Sequence, residues 1–201
     1  MKKKILALVL ARKNSTRLKN KNIKDLAGKP LIVWTFDSLS KKRIRKLFVD
    51  VLVSTDSEKI KDLSNKYNFI CPWLRLKKLS NSSATSESSA IHALNWYEKK
   101  FSNVDGVFLF QPTSPFRSQK KIISAVNHFR KRNKQVVSVC SKKTYKFNIN
   151  DVNGSLYLTP SNLLKKFKNF TINDFIKIKM SKASENIDID TIEDLKIARK
   201  F

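Results

Sequence analysis

The sequence predicts an α/β fold, a Rossmann-like three-layer sandwich in which a mostly parallel sheet lies between helices. Three observations predict it. Short apolar runs of strand type alternate with runs of helical period along the chain, the pattern that winds a parallel sheet with helices on both faces. The first run, Ile5 to Leu10, is apolar at every position, as a strand covered on both faces requires. Unusual polar segments then follow directly on strand ends, where sheets of this kind bind ligands. The 201 residues suit one domain, 1–201, able to bury a sizeable core.

Taken in order, 4–10 (KILALVL) is the first strand, and 30–40 a helix with Pro30 in its first turn. Residues 48–54 (FVDVLVS) form a second strand and 57–67 a helix capped by Ser57. The helix at 85–101 turns Ile91, Leu94 and Tyr97 inward. A strand at 105–111, a helix at 118–132 and a strand at 135–140 follow. The chain closes with a short strand at 155–158, a helix at 160–166, a strand near 175–179 and a helix at 191–200. Four loops leave strand ends with polar residues: 11–22, 54–56, 111–117 and the turn before 191.

Composition narrows the function classes. A hydrophobic share of 41% lies above that of disordered chains, and three glycines exclude a Gly-rich polymer. Cys71 and Cys140 are too few for a disulfide framework and read as apolar residues in a reducing compartment. Forty-two Lys+Arg against 16 Asp+Glu give a net charge of +26, which raises a nucleic-acid partner. The lysines are scattered rather than held in one tract, which fits a solvated surface better, and no RRM, KH or helix-turn-helix signature accompanies them. Lys2-Lys3-Lys4 before ILALVLA imitates a secretory signal, but Arg12 and Lys13 stand where the cleavage region belongs. With no run of membrane-spanning length, the expected location is cytoplasmic.

Three segments carry chemistry. The loop from Ala11 to Asn22 crowds Arg12, Lys13, Arg17, Lys19 and Lys21 together. It is either a basic surface loop or a triphosphate site of arginine forks and lysine charges. Gln111-Pro112-Thr113-Ser114-Pro115-Phe116-Arg117 is a stiff loop able to orient a polar ligand; it is equally a strand-to-helix turn capped by Ser114 or Ser118. In Glu185-Asn186-Ile187-Asp188-Ile189-Asp190, the two aspartates point the same way on an extended backbone. They suit Mg²⁺ bridged to a phosphate; alternatively Asp190 caps the last helix, with Glu193 completing a box.

Together these segments resemble the acylneuraminate cytidylyltransferase (CMP-sialic acid synthetase) family. Residues 5–39 are similar to its opening, and VLVSTDSEKI, FLFQPTSPFR, NGSLYL and NIDIDTIEDLKIA resemble its later motifs in the same order. The resemblance covers most of the chain and implies a fold of the nucleotide-diphospho-sugar transferase type. The middle loop separates the chain from the related CMP-Kdo synthetases. On the matching positions the resemblance implies that Leu10, Ala11 and Arg12 hold the nucleotide, and that Ser15, Lys21 and Asn22 bind its phosphates. It implies pyrimidine recognition around Arg75, Ala84 and Ser86, sugar contact by Gln111, Asn153 and Tyr157, and Mg²⁺ on Asp188 and Asp190. His92 falls on a family helix and reads as a packing residue.

The chain also departs from the pattern. Thr16-Arg17 replaces the usual Lys-Gly, so Arg17 stands in for that cation; Lys19 and Leu76 replace prolines, and Ser82 an aspartate. Members carry a long lobe between the strand ending at Cys140 and Asn153, which builds a homodimer and lends basic side chains to the partner's site. Here only Ser141 to Val152 remain. The implied reaction has CTP and a nonulosonic acid as partners: the anomeric hydroxyl attacks the α-phosphorus and displaces pyrophosphate. Arg12, Lys21 and Asp190 are the expected catalytic residues. The rivals are a non-catalytic nucleotide binder and a nucleic-acid-binding protein.

Overall fold

The computed structural model describes residues 2–81, 83–172 and 174–201; Met1, Ser82 (one of the departures noted above) and Asn173 lie outside the described residues. The elements are β1 (Ile5–Ala11), β2 (Asp25–Leu26), β3 (Lys29–Pro30), α1 (Leu31–Ser40), α2 (Lys42–Arg45), β4 (Val51–Thr55) and α3 (Glu58–Lys66). Then come α4 (Ser86–Lys100), β5 (Gly106–Phe110), α5 (Gln119–Arg132), β6 (Val136–Cys140), β7 (Val152–Pro160), α6 (Ser161–Phe167), β8 (Ile176–Met180) and α7 (Ile192–Ala198).

Six strands form one sheet in the order β4-β1-β5-β7-β6-β8, and β2 and β3 pair separately. β7 runs antiparallel to both its neighbours, and the other pairings in the sheet are parallel. The reason lies in the connection from β6: residues 141–151 carry no helix, whereas a parallel return needs a crossover of a dozen or more residues, usually helical.

Period-two geometry sorts β1 onto two faces. Ile5, Ala7, Val9 and Ala11 pack with Ile32 and Phe36 of α1 and with Ile122, Val126 and Phe129 of α5. Leu6 and Leu8 pack with Ala90, Ala93 and Leu94 of α4 and Leu164 of α6. Helices thus cover both faces, giving the three layers expected of a two-sided apolar strand.

A third apolar cluster positions the site. Leu18, Leu26 and Leu31 pack with Ile187, Ile189, Leu195 and Ala198, joining the loop after β1 to the far end of the chain. Burying such a side chain contributes roughly 1.5–3 kcal/mol, against about 0–1 kcal/mol for an exposed ion pair. Apolar contact docks the two segments, beside the largely buried Lys21–Asp190 pair.

Several boundaries and caps differ from the sequence expectation. Pro30 stands at the N-cap of α1, one residue outside the helix. Ser57 does not cap α3 with its side chain; its N–H donates to Thr55 Oγ1 at 3.1 Å, closing a tight turn before the helix. Ser118 makes no side-chain cap bond either. The last helix is capped by Thr191 with Asp194 in a capping box, so Asp190 and Glu193 are not its box. β7 is longer than the predicted 155–158 because it pairs on both sides.

Candidate active site

The strands β4, β1 and β5 end level with one another: Ala11 pairs with Thr55, and Val9 with Phe110. Their loops therefore meet. One cleft lies there, lined by Leu10, Arg12, Ser15, Arg17, Lys21 and Asn22 from the first loop, Arg75, Ala84 and Ser86 from the second, and Gln111 and Asp190 opposite. Of the other residues singled out, Ala11, Asn153, Tyr157 and Asp188 lie outside that lining.

The first loop is held by its own backbone and by neighbours. Asn20 takes a left-handed conformation (φ 56°) before the turn Lys21–Ile23, a conformation asparagine tolerates. Asn22 is buried, and its Nδ2 donates to the Arg12 carbonyl at 2.9 Å, closing the loop on itself. Lys13 N donates to Asp56 Oδ1 at 2.6 Å, tying the loop to the end of β4. The Arg12 guanidinium crosses to the Asn81 carbonyl at 3.1 Å. Lys21 Nζ and Arg17 Nη2 reach Asp190 at 2.8 and 3.0 Å. The cationic loop and the tail carboxylate thus share one cleft.

Arg75 is buried, and burial pushes its guanidinium down to about 10. Its Nε donates to Ser54 Oγ (3.1 Å), Nη1 to Ser89 Oγ (3.3 Å) and the Leu79 carbonyl (3.4 Å), and Nη2 to the Ser54 carbonyl. With five N–H groups on a guanidinium, one is left for a ligand. Most of Arg75 is thus spent shaping the segment that carries Ala84 and Ser86. His92 sits edge-on to Trp73, ring centroids 5.2 Å apart, as a packing residue does.

Gln111 begins the loop after β5, and its Oε1 would lie 3.0 Å from a Cβ at Gly154. Behind it Arg117 is buried, and that burial pushes its guanidinium down to about 9. It donates to the Ser155 carbonyl (2.7 Å), Thr35 Oγ1 (3.2 Å) and the Gln111 carbonyl, a strut between the loop and β7. Asn153 is fully buried and committed: Nδ2 donates to Asn186 Oδ1 at 2.6 Å, and Oδ1 accepts from Ser138 Oγ at 2.6 Å. It pins the turn into β7. Tyr157 packs against Phe170; burial, and then the charges of Asp188 and Glu87, push its hydroxyl up to about 12.

The tail is sewn to the Gln111 loop by Ile189 N donating to the Thr113 carbonyl at 2.8 Å. Ile187 and Ile189 face the third cluster, and Asp188 and Asp190 face one side together, as alternation requires. Burial, and then the neighbouring Asp190 charge, push the Asp188 carboxyl above the ordinary value. For Asp190 burial alone acts upward too, but the hydrogen bond from Lys21 and the charges of Lys21, Lys146 and Arg17 hold it below.

Sequence reasoning missed Lys146, Tyr145 and Asp194. Lys146 Nζ stands 3.5, 3.3 and 3.1 Å from Oδ2 of Asp188, Asp190 and Asp194. Tyr145 Oη donates to Asp194 Oδ1 at 3.0 Å. In a chain with 42 Lys+Arg, one more lysine carries no signal. The spacing Thr191-x-x-Asp194, which makes Asp194 a capping-box partner, was the one legible clue.

A parallel-dominated sheet whose strand ends open into one cation-rich cleft, with a carboxylate in its wall, defines an α/β protein built to take an anionic ligand at its strand ends. The chain belongs to the cytidylyltransferase family, whose model matches residues 6–186. It is 32% identical to CMP-N,N'-diacetyllegionaminic acid synthase of Legionella pneumophila, over 98% of this chain and 96% of that one. It is 29% identical to N-acylneuraminate cytidylyltransferase of Escherichia coli, over 92% of this chain and 39% of that longer protein. A CMP:2-keto-3-deoxy-manno-octonic acid synthetase solved with CTP superposes with a TM-score of 0.73 over 98% of this chain and 97% of that one. At 12% identity that likeness concerns the fold alone. Among the described residues no helix is long and apolar enough to cross a membrane.

Proposed function

We propose that the protein transfers CMP from CTP to the anomeric hydroxyl of a nonulosonic acid and releases pyrophosphate. The observation that supports this reading is Asp190 meeting Lys21 and Arg17 in the cleft, with loop cations and a tail carboxylate within reach of one ligand. The two relatives named above support the acid as acceptor.

Asp188 and Asp190 fit a Mg²⁺ ion. Both are hard oxygen donors facing one side, and their mutual repulsion raises Asp188 after burial has done so. Among the described residues no cluster of three or more His, Cys, Asp or Glu is arranged to hold a metal. Asp188 and Asp190 would hold such an ion by two carboxylates, the kind of partial ligand set Mg²⁺ takes alongside phosphate and water. The chemistry it would supply there is Lewis-acid polarisation of a phosphate oxygen.

The chain's own residues do the rest. Arg12, Arg17 and Lys21 hold the triphosphate and stabilise charge gathering on the leaving pyrophosphate. Arg75 offers its remaining N–H, with Ala84 and Ser86 beside it, to the pyrimidine. Gln111 orients the acceptor, so that its anomeric oxygen bonds the α-phosphorus as the bond to pyrophosphate breaks. Asp190, directly or through water, takes the hydroxyl proton.

A pyrophosphate-release screen of CTP and the other nucleotides against a panel of nonulosonic acids tests this. Release with CTP and one such acid is expected, lost in Asp190→Asn. CTP binding without release against any acid selects the non-catalytic binder instead.

A further inference from the structure

We propose that Lys146 is a positioning residue of the carboxylate site: a tethered ammonium that holds the place of a divalent cation between Asp188 and Asp190, and that withdraws when one binds. This rests on the reading that Asp188 and Asp190 take such a cation.

The geometry leads there in three steps. Lys146 Nζ donates to the Asp188 carbonyl at 2.6 Å, and lies within 3.5 Å of Oδ2 of all three aspartates. An ammonium has three N–H groups and no acceptor, so this lysine is saturated by the cluster. Charge is balanced as it stands: three carboxylates face Lys146, Lys21 and Arg17.

The oxygens of Asp190 are already claimed. Oδ1 accepts from Lys21 at 2.8 Å, while Oδ2 meets Arg17 at 3.0 Å and Lys146 at 3.3 Å. A Mg²⁺-sized ion needs its carboxylate oxygens at about 2.0–2.1 Å, so a cation has to give way. Lys146 is the one that touches both Asp188 and Asp190 and so stands where a bridging ion would.

The segment that carries Lys146 is built to release it. Tyr145 and Ile149 are 52% and 59% exposed. The turn is closed by Thr144 N donating to the Phe147 carbonyl at 2.8 Å, a bond that survives withdrawal. Apart from that turn, the tip is held to the tail by the Lys146 contacts and by Tyr145 on Asp194.

Mn²⁺ binding followed by electron paramagnetic resonance, with the full chain and no nucleotide, tests the proposal. Lys146→Met is expected to bind Mn²⁺ about tenfold more tightly, the scale of removing one charge-assisted competitor, and Lys146→Arg to bind as weakly as wild type. In parallel, acetylation of Lys146 mapped by mass spectrometry should rise when wild type is saturated with Mn²⁺. If Lys146→Met folds poorly, Lys146→Gln serves in its place. Equal or weaker Mn²⁺ binding by the neutral variants, or a Lys146 that stays protected at saturation, overturns the proposal. Loss of Mn²⁺ binding in Asp188→Asn supports the underlying site on its own. No binding by wild type or any variant, with CTP present as well, overturns the site and the proposal together.

Discussion

Gly154→Ala probes the wall between the Gln111 loop and β7. Gly154 has φ +75°, and a Cβ there would meet Gln111 Oε1 at 3.0 Å and Ser114 Oγ at 4.0 Å. A left-handed alanine costs about 1–2 kcal/mol, offset by about 0.4–1 kcal/mol from a less flexible unfolded chain. The net loss is about 1 kcal/mol, or roughly 2–4 °C in melting temperature for a chain this size. The crowded atom is the far end of a flexible side chain, so Gln111 moves rather than the sheet. If Gln111 orients the acceptor, losing that one neutral hydrogen bond raises the acceptor KM about 2- to 13-fold. The KM for CTP stays within twofold. Gln111→Ala should give the same acceptor effect, and the two substitutions combined no more than either alone. Steady-state kinetics with each substrate varied in turn, beside a thermal melt, decides it. A rise in the CTP KM with an unchanged acceptor KM refutes the placement of Gln111.

Gly106→Ala puts a Cβ 2.4 Å from Phe129 Cζ, against the tip of a ring that is fully buried. It is expected to cost about 1–3 kcal/mol by overpacking, partly relieved in Gly106→Ala/Phe129→Leu, as a denaturation cycle would measure. Asp194→Ala removes the capping box of α7 and should lose about 1–2 kcal/mol, read as a drop of roughly 2–8 °C. Asp37 is held below the ordinary carboxylate value: burial acts upward, but hydrogen bonds from Lys29 and Tyr67 win. Its folded value being depressed, its stabilisation is present above the unfolded value near 3.8 and is lost as pH falls through the folded one. The melting-temperature gap between wild type and Asp37→Asn should therefore be open at pH 7 and close below about pH 4; a constant gap counts against this.

Much of the fold was legible because it rests on local patterns. The uninterrupted apolar run of β1 announced a strand covered on both faces, and its two sides do pack on separate helix layers. Asp188 and Asp190 were legible as a pair because alternation fixes their direction once Ile187 and Ile189 are buried. The antiparallel turn of β7 was readable in principle from the short connection 141–151, but strand-helix alternation elsewhere argued the other way. Arg117 stood in the sequence as one more cation, and its buried strut follows only from where Thr35 and Ser155 come to lie. Lys146 was hidden for a related reason. Its partners sit more than 40 positions away, and nothing nearby distinguishes it from other lysines.

The apolar knot of Leu18 and Leu26 with Ile187, Ile189 and Leu195 has a temporal consequence. Every strand of the main sheet has been synthesised once Met180 leaves the ribosome. Asp188 and Asp190, and the isoleucines that dock them, are made later. In the order of synthesis, the earliest loop waits on the latest residues to be made.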